Sequence, residues 1–543
     1  MSTSNRAAGY PILNLDQVET GLFPLSASQQ GVWFDQIYYR DLPMYNMGGK
    51  LLIEGPVDAS LLKESINIVV GQNEALRLVL REVNGRPLQQ VSPVAEVPLP
   101  VVDLSAEPDP EAAARDYLKR EFQRPFQLED GLLFSFQLVR VSPGRSYWLQ
   151  RYHHLIADGF SVQLICQAVA AVYNRLLAGE PAIDSPVPSY RQYIDEEAEY
   201  QASERFQRDR TFWQERFSAP PAPLFPPSAN SGSAPGPSGE VVWRIERRRF
   251  NEAAEYARAV GCTMPHFMLA LVGGYFARIS GEPELVIGVP IHNRHSPSQK
   301  RTVGMFASVL PLRIAVDPEG RFGDLMKTIS AELRRCYKHQ RLPITEINRF
   351  ANLPAGGRKS LYDVSVAFDR FTFDYPLGGH RTEPQRMCSG FGQTPLAISV
   401  TEYDQQDEVL VVFEFNSNCL ALDEAQRIQA RMNLLLDSIL AEPDLPLKRL
   451  PLLSPLEYHQ IFVEWNTVEA APARELCVHE LFEARAEKDP GAVAVVDGEE
   501  RLTYGQLNAR ANQLAHHLRE LGVGSDVRVA LCFERGLEMI VAL

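Results

Sequence analysis

The chain reads as a mixed α/β protein, two similar lobes followed by a short third piece, and three observations carry that reading. Its 543 residues exceed what one hydrophobic core organises and imply roughly two to four folding units of about 150 residues each. Strand-like and helix-like patterns alternate through both halves, the grammar of α/β layers. One abrupt shift in composition, "SAPPAPLFPPSANSGSAPGPSGE" at residues 218–240, separates the halves and reads as an exposed linker.

The elements follow in chain order. Residues 1–20 read as an N-terminal extension. In the first lobe, 21–217, "DASLLKESINIVVGQ" opens on Asp58, a helix-capping residue, and sets Leu62, Ile66 and Val69 at helical spacing. "RSYWLQRYHH" alternates as a strand does, and "SVQLICQAVAAVYNRLLAGE" then carries an apolar stripe through Ile165, Val169 and Val172. In the second lobe, 241–455, "VVWRIERRRF" predicts a strand, with Asn251 capping the helix after it. "TMPHFMLALVGGYFARI" puts Thr263 ahead of Pro265 at an early helical position. A helical pattern over Ile428–Ile439 and a short extended piece around "LKRLPLLSP" close that lobe. A linker at 456–478, containing the polar break "NTVEAAPARE", leads to the final segment, 479–543.

Composition narrows the function classes. Hydrophobic residues at 45% and charged residues at 22% are those of ordinary packed domains. A net charge of −14 opposes nucleic-acid binding, which needs a positive face. The seven cysteines are odd in number and far apart, so neither a disulfide framework nor a CxxC-type zinc site is expected. No metal is expected, and a reducing cytoplasm fits. The first twenty residues lack the apolar core of a signal peptide, and no later stretch approaches 18 uncharged apolar residues. A soluble cytoplasmic protein, with no membrane partner, is expected.

The stretch "RYHHLIADGFS", Arg151 to Ser161, is the chemical centre of the sequence, in a chain with 11 histidines. The histidines end a strand, and Asp158-Gly159 sits in the turn before a helix. Adjacent strand residues face opposite sides, so His153 and His154 cannot share a role. Gly159 can take a positive φ and lets the chain approach a ligand closely. No GxSxG elbow and no activated cysteine are present, so a covalent acyl-enzyme is unsupported and direct transfer remains. When an amine attacks a thioester its nitrogen becomes acidic, and an imidazole can take or steer that proton near neutral pH. A backbone N–H at the glycine turn can stabilise the developing oxyanion. The bland alternative is one core histidine, one surface histidine and a capping aspartate.

At these residues the sequence resembles the condensation domains of non-ribosomal peptide synthetases, whose signature is HHxxxDG. The likeness runs on through "PLSASQQGVWF" (Pro24–Phe34), "NEALRLVL" (Asn73–Leu80), "VGMFASVLPLRI" (Val303–Ile314) and "KHQRLPITEI" (Lys338–Ile347). It implies two chloramphenicol-acetyltransferase-like lobes in a V-shaped pseudo-dimer with the active site and a substrate tunnel between them. By the same resemblance His154 is the catalytic histidine, acting as base or positioning the amine, with Gly159 beside it. His153 and Asp158 are structural, and Asp158 pairs with Arg294 of the second lobe. Asn293 stands where the family has a glycine before that arginine. Gly304 and Ser308 are expected to line the tunnel, although Ala307-Ser308 replaces the family's usual Val-Asn.

From His479 onward the chain resembles the start of an adenylation domain, with "LTYGQL" (Leu502–Leu507) as its first core motif. The phosphate-binding loop of that family does not occur before Leu543, so no adenylation activity is expected. His516-His517 reads as a solvated helix face. The resemblance implies no bound cofactor. The acceptor is an aminoacyl group on the 4′-phosphopantetheine of a carrier protein. The donor is either acyl-coenzyme A or an acyl group on an upstream carrier, and the adenylation unit lies downstream. The residues ahead of Pro24 are too few for an upstream carrier domain, and "MYNMGGKLLIEGPVD" and "SYRQYIDEEAEYQASERFQRDRTFW" look closer to starter domains, which attach a fatty acyl group to a first amino acid, and to related siderophore-type domains than to the usual elongation pattern. The reading taken is therefore a monomeric starter domain, with an elongation domain as the alternative. An epimerisation domain and a non-catalytic docking module are less favoured, because an adenylation start follows and the histidines are kept.

Overall fold

A computed structural model describes residues 21–93, 96–182, 186–219, 221–225, 235–351, 353, 360–371, 375–403, 407–467 and 476–543. The chain forms two compact units that divide between Ser454 and Pro455.

The first unit holds two large sheets. One has five strands in the order Arg381–Arg386, Asn46–Glu54, Arg145–His153, Phe134–Ser142, Val101–Asp103. Helices Ala59–Gln72 and Gly159–Leu177 cover one face with Leu62, Ile66, Ile165 and Val169, and Pro110–Phe122 covers the other with Ala114, Leu118 and Phe122. Asp58 caps Ala59–Gln72 by accepting from the amides of Ser60 and Leu61. Helix Gly159–Leu177 is long and apolar enough to cross a membrane, but here its apolar stripe is buried against this sheet.

The second sheet has seven strands, in the order Ser308–Ala315, Glu284–Ile291, Val364–Phe371, Leu396–Tyr403, Glu408–Asn416, Gly236–Glu246, Phe391–Gly392. Its apolar face packs on helices Met264–Ser280, Phe322–Lys338 and Leu422–Ala441 around Phe267, Ile329 and Met432. Strand Arg381–Arg386 belongs to the second half of the sequence yet pairs antiparallel with Asn46–Glu54 of the first, from Arg381↔Glu54 to Arg386↔Gly49. The two halves are therefore joined by a shared sheet as well as by the chain.

Three expectations need correction. The linker at 218–240 is shorter at its end, because Gly236–Glu240 already pairs with Glu414–Asn416 and its neighbours; residues 226–234 lie outside the described residues. Asn251 caps nothing. Glu246 is held in register with Glu408, the amide of Arg247 donates to Asp407, and the helix Arg247–Ala259 begins at once. The piece around "LKRLPLLSP" holds a short 3₁₀ turn at Leu447–Arg449. Of the polar break, residues 468–475 lie outside the described residues.

In the second unit, helices Val478–Lys488 and Tyr504–Glu520 flank the hairpin of Val493–Asp497 and Glu500–Thr503, with Leu502, Leu507, Leu537 and Val541 as a small core. His516 and His517 are exposed on Tyr504–Glu520.

Candidate active site

The motif folds as strand, turn and helix. His153 ends its strand, and Asp158 caps the helix that Gly159 begins. His153 is 1% exposed. Its Nδ1 accepts from the Leu155 amide at 3.1 Å, so the proton sits on Nε2, which meets Gln36 Oε1 at 3.2 Å. Burial, with a smaller push from His154, lowers its pKa to about 3. The ring is neutral and fully bonded.

His154 is held differently. Its amide donates to Tyr45 O at 3.0 Å, and its ring meets the Tyr45 ring edge-on with centroids 6.5 Å apart. Nδ1 is buried without a hydrogen bond, facing the backbone of Ala157 and His154 itself, while Nε2 is left open to a cavity. Burial lowers the pKa; Asp158 and that backbone oppose the shift. The imidazole is therefore neutral at pH 7 with a free lone pair.

Asp158 and Arg294 come together from the two halves, Oδ2 to a guanidinium nitrogen at 2.5 Å, with side chains 2% and 1% exposed. Asp158 also accepts from Ser161 N and Oγ, both at 2.8 Å, and from the amides of Phe306 and Ala307 at 3.1 and 3.2 Å. Burial raises its pKa, but the charge and hydrogen bonds of Arg294 and Ser161 outweigh it, and the net shift is downward. The guanidinium also donates to Gln299 O, Ser161 Oγ and Thr302 O, and lies over the rings of Phe306 and Phe160 at 4.1 and 4.7 Å. Asn293, where the family has glycine, has φ 52°, a left-handed conformation that Asn tolerates better than most residues.

Gly159 has no positive φ. It is a helical residue whose added Cβ would meet nothing within 4 Å, so what it supplies is space beside His154. As the first residue of the helix, its N–H has no intrahelical acceptor. Gly304 and Ser308 do not border the cavity. Gly304 is glycine because a Cβ would come within 2.2 Å of the buried Tyr190 ring, and Ser308 opens the strand paired at Ile291.

The cavity, about 520 Å³, has two characters. Apolar Met44, Met47 and Leu51 line it together with His154, Gly159 and Val162, and Asp369, Ser399, Thr401 and Glu414 line it from the seven-stranded sheet. Those residues were missed by sequence reasoning, although their signal is visible. In "LAISVTEY", Leu396, Ile398 and Val400 are buried in the core while Ala397, Ser399 and Thr401 border the cavity. Among the described residues, one group spaced for a metal, Glu240, Cys388 and Glu414, has Arg386 on both carboxylates instead.

The condensation domain family matches residues 19–462. The chain belongs to that family. Residues 482–543 match the AMP-binding enzymes. A dimodular nonribosomal peptide synthase of Bacillus subtilis is 30% identical over 533 residues, 96% of this chain and 22% of the relative. The isonitrile lipopeptide synthase of Streptomyces coeruleorubidus is 30% identical over 532 residues, 96% and 35%. The chain thus spans about a fifth to a third of these relatives. Among solved structures, a variant of the starter condensation domain of rhizomide synthetase RzmA in complex with C8-CoA matches with TM-score 0.73 and 27% identity, over 80% of this chain and 98% of that one. The first condensation domain of the CDA synthetase, at 24% identity and TM-score 0.70, over 80% and 100%, shares the fold. Condensation domains form amide bonds in non-ribosomal peptide synthesis, so this is an enzyme of that class and its two lobes are chloramphenicol-acetyltransferase-like.

Proposed function

We propose that this condensation domain is a starter domain, which transfers a fatty acyl group from coenzyme A to the amine of a carrier-bound amino acid. The observation that carries the reaction is the open Nε2 of a neutral, half-buried His154 in a cavity backed by a locked Asp158–Arg294 pair. The nitrogen of the acceptor attacks the thioester carbonyl, the N–C bond forms and the C–S bond breaks. His154 takes or steers the proton the nitrogen loses, which ends on the departing thiolate. The orphan N–H of Gly159, at the positive end of its helix, would favour the developing oxyanion. Neighbouring Met44, Met47 and Leu51 give the donor's alkyl chain an apolar wall. The starter assignment is supported by likeness to a starter domain that binds C8-CoA and to a lipopeptide synthase.

The test offers acyl-coenzyme A of several chain lengths with an aminoacyl-loaded acceptor carrier and reads acylated carrier by intact mass. Product with at least one acyl-coenzyme A is expected. Product from a carrier-bound peptidyl donor alone overturns the starter assignment in favour of an elongation domain.

A further inference from the structure

The cavity's sheet side is unlike its histidine side. Asp369, Thr401 and Ser399 lie on one face of adjacent strands, with Asp369 directly opposite Thr401 in the parallel pairing. Further along the same face stands Glu414, opposite Ala397. The cations available are few. Arg386 is already shared, ion-paired to Glu414 and 3.9 Å from Glu240. Lys50 borders the cavity, but its ammonium lies over the Tyr147 ring, 4.5 Å from the centroid. Asp369 makes no hydrogen bond or ion pair among the described residues; His292 and Arg386 act on it only at a distance, and burial raises its pKa.

A carboxylate set in a cavity wall without a partner is costly unless a cation comes to it. The alkyl chain of a fatty donor gains nothing from such a wall. The reacting α-amine must be neutral to attack, and a carboxylate holding it as ammonium would slow the step. The cation that suits the site is one the reaction leaves unchanged. We propose that this wall seats the side chain of the acceptor amino acid and selects a basic one, its ammonium or guanidinium held by Asp369 with Thr401 and Ser399 accepting further N–H bonds. The inference rests on the condensation reading and adds the substrate class to it.

The test gives the chain an equal mixture of lysyl- and norleucyl-loaded acceptor carriers with one donor and measures the ratio of acylated products. A preference for lysyl on the order of tenfold is expected, the size of one charge-assisted hydrogen-bonded contact. It should fall towards unity in Asp369→Asn, because lysyl turnover loses more than norleucyl turnover does. A ratio near unity in the parent, or an unchanged ratio in Asp369→Asn, overturns the proposal. A second measurement does not depend on turnover: binding of lysyl and norleucyl N-acetylcysteamine thioesters to the parent and to Asp369→Asn. If no condensation occurs with either carrier, the functional reading falls. Equal affinities of the parent for the two thioesters overturn the basic-side-chain inference by itself.

Discussion

Two layers of polar groups meet at the turn from His153 to Gly159, and they follow opposite rules. Behind the turn, His153 has both ring nitrogens occupied, Asp158 accepts on both oxygens and all three nitrogens of Arg294 donate. In front of it, His154 Nε2 and Asp369 face the cavity with no partner among the described residues. A satisfied layer fixes geometry, because any member left alone would be a buried polar group without compensation. An unsatisfied layer is held open by its neighbours and is available to a ligand. Substitutions behind the turn should therefore register in stability and those in front in turnover.

The sharpest contrast sets Arg294→Ala against His154→Ala. Removing the guanidinium leaves Asp158 charged and buried, which costs about 3–5 kcal/mol, enough to remove most soluble protein. His154→Ala breaks no ring hydrogen bond and should keep the parent's urea midpoint, while amide formation falls by about 10²–10⁴. An Arg294→Ala protein as stable as the parent breaks the comparison, and so does a His154→Ala protein that turns over at the parental rate.

A smaller effect separates two glycines of the same region. Gly304→Ala drives a methyl to 2.2 Å from Tyr190, whose hydroxyl is tied to Met305 O at 2.8 Å, and overpacking of that kind costs about 1–3 kcal/mol. Gly159→Ala puts its methyl into open cavity at a helical position, so stability should stay within about 0.5 kcal/mol and the loss should fall on kcat/KM. Equal unfolding midpoints for the two variants would erase the distinction between the layers.

Much of this was legible in the sequence where the cause is local. Asp58 caps its helix, and the strand, turn and helix around "HHLIADG" follow from alternation, an Asx cap and an apolar stripe. What escaped is set by residues far apart in the chain. Asn251 resembles a cap, but the helix start is fixed by the pairing of Glu246 with Glu408. Gly304 announces close packing without naming Tyr190. Resemblance supplied Arg294, and the need for φ 52° at Asn293 becomes visible only in three dimensions. The polar alternation of Leu396–Tyr403 could be read directly. Its facing a cavity depends on the crossing of Arg381–Arg386 to the first sheet, which no local pattern encodes.

The smallest predicted effect is a proton's. In the folded protein His153 has its pKa near 3 against about 6.5 in an unfolded chain. Folding thus favours the neutral ring, its stabilisation is complete above pH 6.5, and it is lost as pH falls from 6.5 towards 3. Between pH 7 and pH 5.5 the loss from this residue should be about 1 kcal/mol. His154 shifts in the same direction, while Asp158, depressed below its ordinary value of 3.8, stays ionised throughout that interval. His153→Asn keeps an acceptor for the Leu155 amide but cannot titrate. Urea unfolding at the two pH values should show the parent losing about 1 kcal/mol more than His153→Asn, because only the parent must bind a proton on unfolding at that position. Equal losses would mean that the ring does not stay neutral, and the assignment of His153 to the closed layer would fall with it.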